Sequence, residues 1–252
     1  MYPSTILLKS ALLNDLNSQL KNILILKNNE INRLSKIISV KMSSSNLEED
    51  ISFLVNNEWI SDSILNACLK NMAPICDDVL SFDSNVSFLI KLLNNDDLNE
   101  FLSPLDLSKY NILTFFVSDC GKYQSPNPEA VNGSHWSLLA LDLNDSIGYH
   151  FDSSNTNIND KHARKILNNL SMFLKVEFWF VEAGTYFQRN NFNSGIETLG
   201  NLQQISHHLR LGFSMKTLAL VKNDTDVVRK KVKDFLIILK YGKNKQDYRV
   251  FD

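Results

Sequence analysis

The chain has 252 residues, 44% hydrophobic and 21% charged, which suits one domain with a sizeable core plus an appendage. A formal net charge of −2 argues against general affinity for nucleic acid or anionic membrane, and no apolar run approaches the roughly 18–20 residues of a membrane span. Three cysteines, Cys68, Cys76 and Cys120, fit neither a disulfide framework nor a zinc site, so a reducing, cytoplasmic compartment is expected, or export by a route that needs no basic-then-apolar leader.

Residues 1–42 carry leucines and isoleucines at helical spacing (Leu7, Leu8, Leu12, Leu13, Leu16, Leu20; Ile31, Leu34, Ile37, Ile38) and predict a helical extension, a hairpin or a partner-binding arm. "KMSSSNLEED" (41–50) reads as a polar linker or loop. Residues 47–102 read as helix in pieces, with Ser61 or Asp62 as an N-cap before Ile64, Leu65 and Leu69. "NILTFFVS" (111–118) is a strand, and the two prolines of "KYQSPNPEAVNG" (122–133) make that stretch a loop.

Farther on, "HWSLLALDL" (135–143) and "SIGYHFD" (146–152) predict two strands joined by a tight turn at Asn144 and Asp145. "DKHARKILNNLSMFL" (160–174) predicts a helix capped by Asp160, with Ala163, Ile166, Leu167, Leu170, Phe173 and Leu174 as its buried stripe. "VEFWFVE" (176–182) predicts a third strand of this centre. A helix over about 194–209 keeps Ile196, Leu199, Leu202, Ile205 and Leu209 in phase. A last one starts near Asp224 and buries Val228, Val232, Phe235, Leu236 and Leu239. Helices flanking a small central mixed or antiparallel sheet give an α+β fold.

His135 opens one of the paired strands and Asp152 closes the next, so the two side chains can meet at one end of the sheet. Ser194 opens a helix, where positive potential favours an anionic nucleophile and an oxyanion, and Gln188, six residues earlier, can donate its amide to that oxyanion. "GSHWSLLALDL", then "YHFDSSN", then Gln188 six residues before "SG", resembles the Ulp/sentrin-specific (SENP) proteases of ubiquitin-like proteins, within the papain-like cysteine protease superfamily, and most of all their deneddylase branch. "FLSPLDLSKYNILTFFVSD" (101–119) and "EWISDSIL" (58–65) also have counterparts there. The resemblance covers about residues 50–240 and divides the chain into an N-terminal helical extension, 1–45, and a protease domain, 46–252.

The resemblance implies cleavage after the C-terminal Gly-Gly of ubiquitin or a ubiquitin-like modifier. It implies His135 as general base, Asp152 as its orienting acid, Gln188 in the oxyanion hole and position 194 as nucleophile. Trp136 would cover a narrow Gly-Gly channel, with Trp59 and Asp62 on its other side and Asn193 next to the nucleophile. No cofactor or metal is implied. Two residues depart from the family pattern: Ser194 stands at its cysteine and Asn193 at its usual Asp. A serine hydroxyl is far harder to deprotonate than a thiol, so a serine in such a site predicts near-inertness with binding retained. Either a cysteine has been replaced, or the serine is native and the chain is a pseudoprotease or a rare serine variant. An acetyltransferase of related fold is a further alternative. The extension and a residue usage typical of AT-rich genomes fit a bacterial effector secreted into a host cell.

The remaining candidates receive plainer readings. Cys120, in "SDCG", offers a real thiol but precedes His135 and lacks a following helix; Cys68 reads as core. His150 and His162 read as structural or surface residues. His207 and His208 point about 100° apart on a helix and do not suit a metal pair.

Overall fold

The computed structural model describes residues 47–72, 77–120 and 134–241. The expectations for residues 1–45, for the 122–133 loop and for Cys76 lie outside these. The described elements run α1 (Leu47–Val55), α2 (Asp62–Met72), β1 (Val79–Phe82), α3 (Ser84–Leu92), α4 (Asn95–Leu102), β2 (Ile112–Ser118), β3 (Trp136–Asp142), β4 (Ile147–Phe151), α5 (Asp160–Leu174), β5 (Trp179–Glu182), α6 (Ser194–Arg210) and α7 (Thr225–Tyr241). Short 3₁₀ turns at Leu107–Lys109 and Met215–Thr217 complete them. The strands form one mixed sheet in the order β1-β2-β3-β4-β5. β2, β3 and β4 are antiparallel neighbours, and β1 and β5 add parallel edges. The fold is α+β.

Alternation along the central strands divides the core. Ile112, Phe116, Leu138, Ala140 and Phe151 face α1, α2, α6 and α7, while Leu113, Phe115, Val117, Leu139 and Leu141 face α3, α4 and α5. β2 is buried along its whole length, which is why its sequence is mainly apolar, with Thr114 bonded to Ser81 and Ser118 at its end. At the β3–β4 turn the Asp142 carboxylate accepts the N–H groups of Asn144 and Asp145, and Ser146 takes positive φ.

Several sequence expectations are corrected. The stretch 41–50 is not all loop, because α1 begins at Leu47 and puts Glu48, Glu49 and Asp50 at its positive end. Within 47–102 lies β1, whose four residues gain their identity from parallel pairing with β2. Ser61, not Asp62, caps α2, its Oγ accepting from Ile64 N at 3.3 Å. Asp160 is the first residue of α5 rather than its cap; the cap position is Asn159, whose side chain makes no capping bond. β5 is shorter than 176–182, because Lys175 ends α5 in the left-handed region and Val176 N still bonds Ser171 O. Leu239 is 47% exposed and lies off the buried stripe of α7.

Candidate active site

β3 and β4 pair with Leu138 opposite Phe151, which brings the start of one strand to the end of the other. His135 and Asp152 meet there, at 2% and 7% exposure, with His135 Nε2 2.5 Å from Asp152 Oδ1. Burial opposes ionisation of Asp152, but bonds from His135 and the Ser154 N–H, with the charges of His135 and His150, outweigh it and hold the carboxyl below its ordinary range. The other carboxylate oxygen accepts from Asn159 N at 3.2 Å. Because Asp152 engages Nε2, the Nδ1 atom of His135 remains for chemistry.

Ser194 is the first residue of the 17-residue helix α6 and is fully buried. Its Oγ accepts the backbone N–H of Trp136, the residue directly after His135, at 3.2 Å. That contact seats the helix N-terminus against the start of β3. Gly195 permits the approach: a Cβ there would lie 2.3 Å from Ile60 Cγ1 and 3.3 Å from Trp136 Cδ1. Asn193 makes no side-chain cap, so the first N–H groups of α6 are left to an anion.

The other candidate residues lie around this junction. Gln188 accepts from Ser153 Oγ through Oε1 (3.0 Å) and its N–H bonds Ser153 O (2.9 Å), which leaves Nε2 to donate. The partly buried Trp136 donates from Nε1 to Ile60 O at 3.2 Å. That bond ties it to the segment carrying Trp59, which is 41% exposed. Asp62 is exposed at the start of α2 and accepts from Ser63 N. Asn193 is buried, and its Oδ1 accepts from Arg229 at 2.8 Å. His150 is buried in the sheet, not at the surface. His208 Nε2 is within 2.9 Å of Ser214 O, and Cys68 is fully buried, which pushes its thiol up out of the titrating range. Cys120 lies just past β2, where Lys91 Nζ on α3 holds the carbonyls of Ser118 and Cys120.

Three contributors escape sequence reading. Asp119, inside the "SDCG" segment, accepts the N–H groups of Ser134 (2.6 Å) and His135 (3.0 Å) and so anchors the entry into β3. Arg229, on α7, is 5% exposed and links Asn193 to the Glu58 carbonyl at 3.1 Å. Asn159 reaches the backbone of His135. A polar residue after a strand or before a helix is ordinary, and only its distant partner makes it part of a site.

No family model matches the chain. Human sentrin-specific protease 8 is 26% identical over 198 residues, covering 75% of this chain and 89% of that protein. NEDD8-specific protease 2 of Schizosaccharomyces pombe is 34% identical over 79 residues, 31% of this chain and 19% of the relative. Among solved structures, the SUMO protease Ulp1 with its catalytic cysteine oxidised to a sulfonic acid matches with a TM-score of 0.58 and 15% identity over 76% of this chain and 84% of that one. The Xanthomonas campestris effector XopD bound to ubiquitin matches with a TM-score of 0.53 and 20% identity over 71% and 90%. Sequence similarity to the sentrin-specific proteases, a fold shared with Ulp1, and a buried His–Asp pair against a helix N-terminus agree: the chain is similar in sequence and fold to the proteases of the Ulp/SENP type.

Proposed function

We propose that the chain carries the site of a cysteine isopeptidase that cleaves after the C-terminal Gly-Gly of ubiquitin or a ubiquitin-like modifier, and that Ser194 leaves it nearly inert while it still binds that modifier. The carrying observation is the buried His135–Asp152 pair with Ser194 Oγ on the next backbone amide. With cysteine at 194, the His135 ring takes the thiol proton at Nδ1 and the thiolate attacks the glycyl carbonyl carbon. The oxyanion receives N–H groups from the start of α6 and the Gln188 amide. His135 returns the proton to the leaving amine, and water, deprotonated by His135, then cleaves the thioester. A hydroxyl in the same place lacks the acidity for the first step.

The similarity to a sentrin-specific protease and a NEDD8-specific protease supports a modifier tail as substrate. The fold shared with an effector from Xanthomonas supports the narrower reading of a bacterial effector acting in a host cell. Electrophilic C-terminal probes of ubiquitin, NEDD8 and SUMO test the proposal. Ser194→Cys labels with at least one, and the preferred modifier is the one that labels fastest; the chain with Ser194 does not label. Equal labelling of both through Cys120, or none of either, overturns it.

Ser194 itself favours a second reading, a binding module that captures a modifier without cutting it. Calorimetry with the free modifiers and the Ser194 chain tests that directly. Tight binding with an inactive Ser194→Cys variant selects this second reading.

A further inference from the structure

Beneath the catalytic pair lies a second hydrogen-bonded chain on the sheet face covered by α5. His150 Nδ1 lies 2.8 Å from Asp160 Oδ1, and His150 Nε2 lies 2.9 Å from Ser137 Oγ. A carboxylate only accepts, so Nδ1 carries the proton and Nε2 accepts the Ser137 O–H. Ser137 Oγ in turn accepts from Asn159 Nδ2 at 3.0 Å. The same Asn159 amide donates to the carbonyls of His135 (3.2 Å) and Val117 (3.1 Å). The Asn159 backbone N–H donates to Asp152 Oδ2. Ser137 and Asn159 are fully buried and His150 is 1% exposed. The bonds of Ser137 and Asn159 therefore form where an unmade partner is costly, while the Asp160 end of the chain is part-buried.

We propose that Asp160, His150, Ser137 and Asn159 form a buried relay that positions His135 and Asp152 for reaction, with Asn159 as its junction. This rests on the reading of His135 and Asp152 as the catalytic pair. Ser137, His150 and Asp160 are connected as the members of a hydrolase triad are, but Ser137 sits inside β3 at zero exposure and no substrate reaches it. His150, Asp152 and Asp160 also bring potential metal-ligand atoms within 4.8 Å of one another, yet both His150 nitrogens and both Asp152 oxygens are already engaged. What remains is orientation. Asn159 holds the carbonyl of one catalytic residue with its side chain and the carboxylate of the other with its backbone, so it fixes the distance between them. This also explains why the residue at the cap position of α5 leaves its helix uncapped.

The test begins with the chain as it stands, carrying Ser194. Imidazole NMR follows the His135 Nε2–H proton shared with Asp152 and the His135 ring nitrogen shifts. The charged groups facing His135 are Asp152 on its ring and Asp119 on its backbone N–H. Ser137→Ala and Asn159→Ala are expected to broaden the low-field proton and displace the His135 ring nitrogen shifts. Asn159→Asp, equal in shape but without donors, behaves like Asn159→Ala. Thr114→Val removes a buried hydroxyl bonded to Ser81, outside the relay, and leaves both signals in place. In the Ser194→Cys background the relay variants lower kcat by about 10- to 100-fold with KM within about twofold. Unchanged His135 signals, or a kcat loss no larger than that of Thr114→Val, overturn the proposal. If Ser194→Cys is itself inactive, the protease reading fails, and the NMR comparison still decides the relay.

Discussion

Arg229 places a guanidinium, 5% exposed and with no carboxylate within ion-pair distance among the described residues, against Asn193, the residue before Ser194. Burial pulls its pKa below the ordinary arginine range, against the favourable charge of Asp226, but a guanidinium stays charged at neutral pH. Its two hydrogen bonds fix Asn193 to Glu58, and so the loop before α6 to the segment before Trp59. Arg229→Met nearly keeps the volume but leaves the buried Asn193 Oδ1 and the part-buried Glu58 carbonyl without their donor. It should cost about 1–3 kcal/mol in urea unfolding and slow probe labelling of the Ser194→Cys form. Trp136 makes a different prediction, one about binding. If its ring covers a Gly-Gly tail, Trp136→Ala weakens capture of the free modifier by the Ser194 chain by about 2 kcal/mol, roughly 30-fold in Kd, read by calorimetry. A modifier ending in Ala-Ala should bind the parent chain poorly for the complementary steric reason. Unchanged affinity in both tests would reduce Trp136 to a packing residue.

Among the elements, α6 carries the heaviest duty, because its first nine residues are all buried and its N-terminus abuts β3. Polar side chains inside it are paired: Thr198 Oγ1 donates to Ser194 O, and Asn223 donates to Glu197 and Asn201. Burial raises the Glu197 pKa, with Asn223 opposing. The packing is closest at Gly195, where a methyl group would meet Ile60 at 2.3 Å, and Ile60 is only 3% exposed. Alanine is the better helix former by about 1 kcal/mol, but overpacking costs about 1–3 kcal/mol, and a buried isoleucine has little room to give. Gly195→Ala should therefore lower the urea midpoint. It should also weaken modifier capture, because Trp136 Cδ1 lies on the same side.

At the scale of the whole molecule, the buried His150 and the half-buried His162 set the acid response among the described residues. Burial lowers the pKa of His150, against the pull of Asp152 and Asp160, and lowers His162 to about 4, helped by Lys91 and Lys161. Unfolding returns each to about 6.5, so below that pH the unfolded chain binds protons the native one refuses, and stability falls as pH falls toward the native values. Asp152 adds to the loss only at lower pH, as its depressed native pKa is crossed. Asp142 and Glu197 act in the opposite sense: burial raises both, so their effect lies above their ordinary values near 4 and partly offsets the histidine loss at the acid end. Urea midpoints should therefore drop between pH 7.5 and 5.5, and His162→Leu should flatten that slope. A midpoint independent of pH over this range would contradict the lowered pKa values of both rings.

The sequence by itself determined the central strands, α5, α6 and α7, and the order of His135, Asp152, Gln188 and Ser194. Each of these is written in local currency: a period of apolar residues, a strand followed by a helix start, a motif spacing. Tertiary structure alone decided β1, because "VLSF" is too short to show a period and becomes a strand by hydrogen-bonding to β2. It alone decided that the Asn159 side chain reaches the His135 carbonyl instead of capping α5 and that Arg229 reaches Asn193 across 36 residues of sequence. It also turned Asp119, part of a decoy cysteine motif, into the anchor of His135. A hydrogen bond has no sequence period. Its partner is fixed by where the folded elements place a donor and an acceptor, and burial then makes that pairing obligatory.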